Sequence, residues 1–299
     1  MRSHIGFDRL WAMQIPVPYS LFLRDGPFGW SCGQCPLDRT GKVVAPDDAR
    51  AQADLVGNYA RTILAEAGFA PQDLKLAVVY HHSTNTADIL GSLRHALGPD
   101  VQLATVSVPD FYYAGMLVEV DLFAMSPTDS RLNFVFGTPD VLRNPLIDHW
   151  SAPSFTPDLP AHATIDQALA SKQVWAVQSD MQVRESHHDH LGTTVRLRQS
   201  GRFHALVAVA PHLEGLVLQT EGIMEAFGAI LEAHGLGFRD VVKSTTHYVG
   251  DATPEELHRN MTVRNRRYTE PGPASTGIRV DALADPAALT AITLLAYTS

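Results

Sequence analysis

Two carboxylates separated by one residue in an apolar stretch are the first candidates for chemistry. Glu119 and Asp121 interrupt residues 116–124, which are otherwise apolar. Alternate residues of a strand point to the same face, so both carboxylates would share one face. If that face lines a cleft, burial and mutual repulsion raise the pKa of one carboxyl, which can then donate a proton at neutral pH. A solvated sheet face would show the same alternation without a function, so the pattern alone leaves both interpretations open.

A C-x-x-C pair, Cys32 and Cys35, raises the question of redox or zinc chemistry. A redox pair needs its first cysteine at a helix N-terminus, where the thiol pKa falls, whereas this motif ends a predicted strand and runs into Pro36. A zinc site would need two more ligands, and the chain has only two cysteines. We therefore expect this segment to form a pocket wall, with backbone donors near Gly33 and with Cys32 as a polar side chain.

A histidine cluster, His187, His188 and His190, is the densest in the chain. On a strand His188 and His190 would share a face, as in metal sites, but an exposed polar turn before Gly192 accounts for the same residues. We predict no metal and no other cofactor.

A short polar run near the C-terminus could hold a carboxylate. Ser275, Thr276 and Gly277 offer hydroxyls and backbone N–H groups, and Arg279 lies two residues beyond Gly277, on the same face of a strand. Its guanidinium could bind a carboxylate in bidentate form, or it could be a surface charge. The chain has no Gly-rich phosphate loop, no Gly-x-Ser-x-Gly and no His-Glu-x-x-His, so the sequence gives no support to kinase, α/β-hydrolase or zincin chemistry.

The composition limits the possible partners. The 299 residues are 45% hydrophobic and 18% charged, as in globular proteins, and the net charge of −9 argues against nucleic acid. Apolar runs are too short and too often interrupted to cross a bilayer, so no membrane partner is predicted. Charges at Arg2, Asp8 and Arg9 break up the segment where a signal peptide would be apolar, so we expect a cytoplasmic protein.

Hydrophobic periodicity and turn residues predict an α+β unit in the first half of the chain. Two short strands flank an Asp25-Gly26 turn, and a helix begins near Asp47 and ends at Gly68. The later predicted elements are a strand over 74–80, a helix over 86–97, and strands over 102–108 and 116–124.

The same order of elements recurs in the second half. Residues 63–68 resemble residues 230–235, and at the same offset Gln52 aligns with Gln219 and Asp73 with Asp240. The second copy would use strands at 174–183, 277–280 and 289–297 and a hairpin at 193–211. We predict domains at 1–125 and 173–299, joined by a Pro-rich segment at 126–172. Each copy would leave one apolar sheet face for another copy to cover, which predicts side-by-side sheets within the chain and between chains.

Several motifs together resemble the RidA (YjgF) superfamily. They are Pro18-Tyr19-Ser20, residues 31–38, Gln52, residues 63–68 and residues 117–121, and they extend over roughly residues 15 to 125. The resemblance implies trimers of a chorismate-mutase-like α+β fold, with pockets between neighbouring copies and hydrolysis of imines or enamines.

Some positions that matter in the superfamily differ here. The arginine that would hold a substrate carboxylate falls on Ser275 in the second copy and near Asp100 in the first, so neither copy keeps it. The acidic residue on the last strand is Glu119 in the first copy and either Ala291 or Thr293 in the second.

The combined hypothesis is a tandem RidA-like enzyme that acts on a small, carboxylate-bearing metabolite. Its predicted catalytic residues are Glu119 and Cys32, and its predicted substrate-binding residues are Tyr19, Gln34, Ser275, Thr276, Gly277 and Arg279. Residues 273–278 also resemble a segment of the chorismatases, which makes chorismate hydrolysis an alternative. The missing arginine leaves a third alternative, a protein that binds a metabolite without converting it.

Overall fold

The computed structural model describes residues 1–82, 86–126, 132–136, 174–178, 184–249, 253–283 and 285–298. The chain forms two compact units. The first contains the described residues between 1 and 126, together with residues 274–279. The second contains most of the remaining chain. The predicted connecting segment lies mostly outside the described residues.

The first unit is a mixed sheet with two helices. Its strands are β1 (Arg2–Ile5), β2 (Phe22–Asp25), β3 (Phe28–Ser31), β4 (Leu74–His82), β5 (Gln102–Val108) and β6 (Val118–Met125), and its helices are α1 (Ala49–Glu66) and α2 (Thr86–Leu97). The strand order is β1-β2-β3-β6-β4-β5. Strands β4 and β5 are parallel, because α2 crosses over between them, and the other neighbours are antiparallel.

Helix α1 shows why these residues fold as they do. The side chain of its N-cap, Asp48, accepts a hydrogen bond from the backbone N–H of Ala51. The helix ends before Gly68, whose φ of +75° suits a residue without a Cβ. Its buried residues recur at helical spacing and pack with the inner face of β6 and β4 in one hydrophobic core: Ala53, Val56, Ala60, Ile63, Val118, Val120, Leu122, Ala77 and Val79.

The second unit repeats this plan. Its sheet contains β9 (Arg184–His190), β10 (Thr193–Ser200), β11 (Phe203–Val209), β12 (Val241–Val249) and β14 (Thr290–Tyr297), and its helices are α3 (Leu216–Ala233) and α4 (Pro254–Asn265). The order of these strands is β12-β14-β11-β10-β9. A further strand, β13 (Ala274–Val280), has residues 274–279 in the first unit.

The repeated glutamines occupy equivalent places in the two units. The side-chain amide of Gln52 donates to the carbonyls of Ala45 and Gly115, and its oxygen accepts from the N–H of Leu117. Gln219 makes the same three contacts, to Leu213, Ala287 and Leu289. Each glutamine thus ties the start of its helix to the start of the last strand. The predicted tandem of two α+β, RidA-type folds is confirmed.

One predicted element differs from the structure. The sequence predicts that a strand over 174–183 opens the second copy. The structure has β8 (Val174–Gln178) there, which pairs with β7 (Leu132–Phe136) in a separate two-stranded sheet, and residues 179–183 lie outside the described residues. The outer strand of the second sheet is β9, which contains the histidine cluster, so these residues form a strand and not the polar turn that the sequence also allows.

Candidate active site

Strand β6 places Glu119 and Asp121 on the sheet face opposite the helices. Their neighbours Val118, Val120 and Leu122 point into the hydrophobic core beneath α1. Alternation therefore turns both carboxylates to the other face, and yet Glu119 is only 7% exposed and Asp121 only 1%. The solvated face that the sequence left open does not occur, because both acidic side chains are buried.

The Glu119 carboxylate lies directly against the backbone of Gly33. A Cβ added at Gly33 would lie 1.6 Å from Glu119 Oε1, so the carboxylate would have to move. The close approach is set by pairing, since Gln34 and Val120 exchange backbone hydrogen bonds of 2.8 and 3.1 Å. The glycine of the hairpin end therefore makes room for the carboxylate.

Both cysteine thiols turn toward the same carbonyl group. Cys32 Sγ lies 3.4 Å and Cys35 Sγ 3.5 Å from the Gly33 oxygen. Cys35 is also hydrogen-bonded to Glu119, and its pKa is raised well above the usual value by burial first and by the Glu119 charge second. The Cys35 thiol beside the candidate acid is therefore kept in its neutral form.

Two tyrosines complete the surroundings of the carboxylates. Tyr80 stands opposite Glu119 in the β4–β6 register, and burial, Asp121 and Glu119 raise its pKa well above the usual value. The pKa of Tyr113 is raised to about 12, mainly by burial and then by Cys35. Both phenols therefore keep their protons at neutral pH and can donate hydrogen bonds.

The Asp121 carboxylate accepts hydrogen bonds from two hydroxyl groups. Its Oδ1 accepts a hydrogen bond of 2.6 Å from Thr276 Oγ1, and its Oδ2 accepts one of 3.4 Å from the Tyr80 hydroxyl. The bond to Thr276 has the short length of a hydroxyl bound to a charged carboxylate. The same segment lies beside the hairpin, because Ala274 forms a parallel bridge with Ser20. Thr276 is thus brought to the acidic pair, and Ser20, the residue after Tyr19, lies beside the same segment.

Gln34 and Cys32 are two of the predicted site residues. Their side chains form hydrogen bonds with other groups of the protein. The Gln34 amide donates to the carbonyl and the sulfur of Cys32, at 3.0 and 3.4 Å, and its oxygen lies 3.4 Å from Trp11 Nε1. Gln34 is 0% exposed and Cys32 is 1% exposed. Both side chains hold the hairpin end in place beneath Glu119.

The residues predicted to bind a substrate carboxylate differ in how deeply they are buried. Thr276 is buried, Ser275 is half-buried and Gly277 is exposed. Arg279 forms an ion pair with Asp110, with side chains that are 30% and 48% exposed. The guanidinium that could have replaced the missing family arginine is therefore engaged within the first unit.

The second unit lacks the acid at the equivalent position. Leu117 and Leu289, which bind the two repeated glutamines, fix the correspondence of β6 with β14 and align Glu119 with Ala291. Thr293 aligns with Asp121 instead, which decides between the two candidates. His247 lies opposite Ala291 as Tyr80 lies opposite Glu119. Burial first, and the Lys243 charge second, lower the pKa of His247 to about 3.

Sequence reasoning found Glu119 but missed Cys35, Tyr80 and Tyr113. The signal for Tyr80 was its place at the end of a strand that had to pair with β6, but its partner depends on a register that the sequence does not fix. The sequence does not distinguish Cys35 from Cys32, because the conformation of the hairpin end decides which way each thiol points.

The histidine cluster on β9 has a local hydrogen bond, from Ser186 Oγ to His188 Nε2 at 2.8 Å. Among the described residues, no group of three or more ligating side chains could hold a metal.

Comparison with known proteins identifies the first unit. A family model described as Endoribonuclease L-PSP matches residues 12–126. Residues 12–126 form a RidA/YjgF-type domain. This stretch contains the hairpin end, Glu119 and Asp121. No curated protein matches the chain.

Solved structures with a similar fold cover about two fifths of this chain. A putative endoribonuclease L-PSP from Entamoeba histolytica is 21% identical with a TM-score of 0.37, and the match covers 42% of this chain and 100% of that one. RidA from the Antarctic bacterium Psychrobacter sp. PAMC 21119 is 22% identical with a TM-score of 0.37, covering 42% and 99%. A YjgF/YER057c/UK114 family member from Mycobacterium tuberculosis is 20% identical with a TM-score of 0.34, and the match covers 42% of this chain and 100% of that one.

In the described part of the chain, no helix is both long and apolar enough to cross a membrane.

Proposed function

We propose that the first unit is an acid/base site for hydrolysis of a small imine or enamine, with Glu119 as the group that moves the proton. The observation that supports this most is the position of its carboxylate, buried against Gly33 and hydrogen-bonded to a neutral thiol, Cys35. A carboxylate with little solvent around it and with neutral donors beside it is suited to exchanging a proton with a bound water.

The proposed reaction on 2-aminoacrylate has three steps. Protonation at carbon converts the enamine to 2-iminopropanoate, and water then adds to the imine carbon. Glu119 accepts a proton from that water and returns it to the nitrogen, which gives a carbinolamine. The hydroxyl of this carbinolamine then loses its proton as the C=O bond forms, the C–N bond breaks, and the nitrogen leaves with that proton as ammonia. The product is pyruvate, and no oxidant or cofactor is consumed. Tyr80 and Cys35 would orient the acid, since both remain protonated.

The test uses 2-iminopropanoate generated in situ from alanine by an amino-acid oxidase, with semicarbazide present to trap the imine. Hydrolysis by the protein reduces the semicarbazone absorbance, because pyruvate reacts with semicarbazide much more slowly. We expect Glu119→Gln to lose roughly 10²-fold or more of the rate, the usual worth of a general acid or base. Thr293→Val is the control in the second copy, at the position equivalent to Asp121 because Ala291 is the equivalent of Glu119, and it should keep the wild-type rate.

An equal loss of hydrolysis rate in both variants would show that the proposal assigns the site to the wrong copy. An equal rate in the wild type and in Glu119→Gln would contradict the hydrolase proposal. Chorismate in place of the imine, with pyruvate release as the readout, tests the chorismatase-like alternative with the same two variants. The family description mentions an endoribonuclease, but the net charge of −9 gives no reason to extend that activity to this chain.

A metabolite-binding protein without turnover is the second candidate, favoured by the ion pair of Arg279 with Asp110, which engages the only predicted substitute for the carboxylate-binding arginine. Calorimetric binding of pyruvate without any imine turnover would support it. The predicted homotrimer and cytoplasmic location also belong to this proposal, and the carboxylate on the ligand is carried over from the family resemblance.

A further inference from the structure

A polar cluster in the second unit lies on the helix side of the sheet, away from the position equivalent to Glu119. It consists of Ser244 and Thr246 on β12 with Asn260 and Arg264 on α4, which are 1%, 1%, 2% and 8% exposed. Ser244 and Thr246 share a strand face, and Asn260 and Arg264 are one helical turn apart. The hydrogen bond of 2.9 Å from Arg264 Nη1 to Thr246 Oγ1 shows that these two faces meet.

The first unit has an apolar layer at the same place. Positions equivalent to Ser244 and Thr246, by the offset that relates Gln52 to Gln219, are Ala77 and Val79, which belong to the hydrophobic core. The buried side chains of α2 are mostly apolar, whereas those of α4 are Asn260, Val263 and Arg264. The fold therefore does not require polar groups here, and their presence in the second copy calls for another explanation.

Several buried polar atoms of this cluster have no hydrogen-bond partner among the described residues. Arg264 Nε, Asn260 Oδ1 and Ser244 Oγ are all buried without a hydrogen-bond partner among the described residues. Within the described ranges, the hydrogen-bond partner of the guanidinium is the neutral Thr246 hydroxyl. No acidic side chain forms a salt bridge with Arg264 in the part of the chain that the structure describes. A buried guanidinium normally has a carboxylate or phosphate as its partner.

From these observations we infer that the α4–β12 layer is a binding site for a small carboxylate. The Nε and Nη groups of arginine form a planar fork that matches the two oxygens of a carboxylate. Ser244 can donate from its hydroxyl, and the Asn260 amide can turn its NH₂ group toward an anion, because its oxygen and nitrogen are interchangeable in shape. One buried positive charge is balanced by one negative charge, which favours a monocarboxylate over a phosphate dianion.

This site is separate from the proposed hydrolytic site, so it can be tested independently. Thermal unfolding of the purified full chain is followed with increasing sodium acetate and, in parallel, with sodium chloride or sodium phosphate at the same ionic strength. We expect acetate to raise the unfolding temperature by a few degrees and to saturate, as for any ligand that binds only the folded state. Chloride should not reproduce that saturating rise.

Two variants on α4 and just beyond it locate the effect. Arg264→Met should abolish the acetate response, whereas Arg267→Met, which removes an exposed arginine three residues further on, should keep it. Arg264→Lys keeps the charge without the fork and should weaken binding at least tenfold. If Arg264→Met does not fold, this lysine variant still decides the question, because it retains the buried charge.

The inference is overturned if acetate gives no saturating rise in the wild type, or if Arg264→Met and Arg264→Lys respond as the wild type does. A stronger response to phosphate than to acetate would overturn the carboxylate assignment. Glu119→Gln should retain the full acetate response, so that failure of the proposed hydrolysis and failure of this site give different results.

Discussion

At the scale of single residues, the chemistry of the first unit depends on how closely a strand approaches a hairpin. Glu119 is held where a side chain at position 33 would otherwise lie, and its neighbours are a thiol and phenols that stay protonated. Hydrogen bonds from neutral donors of this kind can orient a carboxylate for proton exchange with a bound molecule.

Gly33→Ala tests this close approach. The new Cβ would fall 1.6 Å from Glu119 Oε1, so the carboxylate must move. We expect imine hydrolysis to fall by about 10²-fold, the effect of displacing a catalytic group by roughly 1 Å, and stability to fall by about 1–3 kcal/mol through overpacking. Gly91→Ala in α2 is the control, since nothing lies within 4 Å of its added Cβ. If the two alanine variants hydrolyse the imine equally well, Glu119 is not confined in this way.

His247 provides a prediction about pH in the second unit. Its pKa is about 3 in the folded chain, against 6.5 for an ordinary histidine. As the pH falls below 6.5, the unfolded chain binds a proton that the folded chain does not, so the stability present above pH 6.5 is lost progressively toward pH 3. At pH 5 the loss from this group is about 2 kcal/mol.

We expect His247→Gln to be less sensitive to acid than the wild type, as measured by urea unfolding at pH 7 and at pH 5. The exposed His258 supplies the control, because His258→Gln should leave the difference between the two pH values unchanged. An equal loss of stability between pH 7 and pH 5 in the wild type and in His247→Gln would contradict the assignment.

At the scale of elements, the sequence predicted types and order better than neighbours. Helix α2 was predicted with its observed limits, and the turn between β2 and β3 was predicted from Asp25-Gly26, because local preferences decide both. Glu119 was found from strand alternation together with the family motifs. The contact between Glu119 and Cys35 could not be found in this way, since it depends on which residue of the hairpin end faces β6.

The second-copy position equivalent to Glu119 also could not be predicted from the sequence alone. Alternation alone allowed either Ala291 or Thr293, because both lie on one strand face. The glutamine contacts with Leu117 and Leu289 settle the alignment in favour of Ala291. Side-chain contacts that span distant segments therefore carry register information that periodicity does not.

The link between β6 and the segment 274–279 can be tested through Asp121. Asp121→Ala leaves the hydroxyls of Thr276 and Tyr80 without their carboxylate, and we expect the free energy of unfolding to fall by about 2 kcal/mol. Asp121→Asn keeps an oxygen for Thr276 and should lose less. Urea denaturation of both variants measures the difference. Equal stability of the alanine variant and the wild type would show that these bonds contribute little.

At the scale of the whole molecule, the predicted assembly follows from the two-copy design. Each RidA-type copy has helices on one side of its sheet, and three chains would supply six copies for two stacked rings. We expect light scattering at micromolar concentration to give three times the chain mass of 32.6 kDa. A monomer mass would contradict the predicted homotrimer, and dilution to nanomolar concentration would show whether the assembly dissociates.

The hydrogen bond between Asp121 and Thr276 also bears on the order in which the protein is made. It joins residues 155 positions apart, and residues 274–279 belong to the first compact unit. A ribosome releases the N-terminal segment long before it adds those six residues, although domains usually fold as they emerge. The first unit therefore stays incomplete during most of translation, because Thr276, one of the two hydroxyl partners of the buried Asp121 carboxylate, has not yet been synthesised. A fragment cut at residue 125 would stay permanently in that nascent condition.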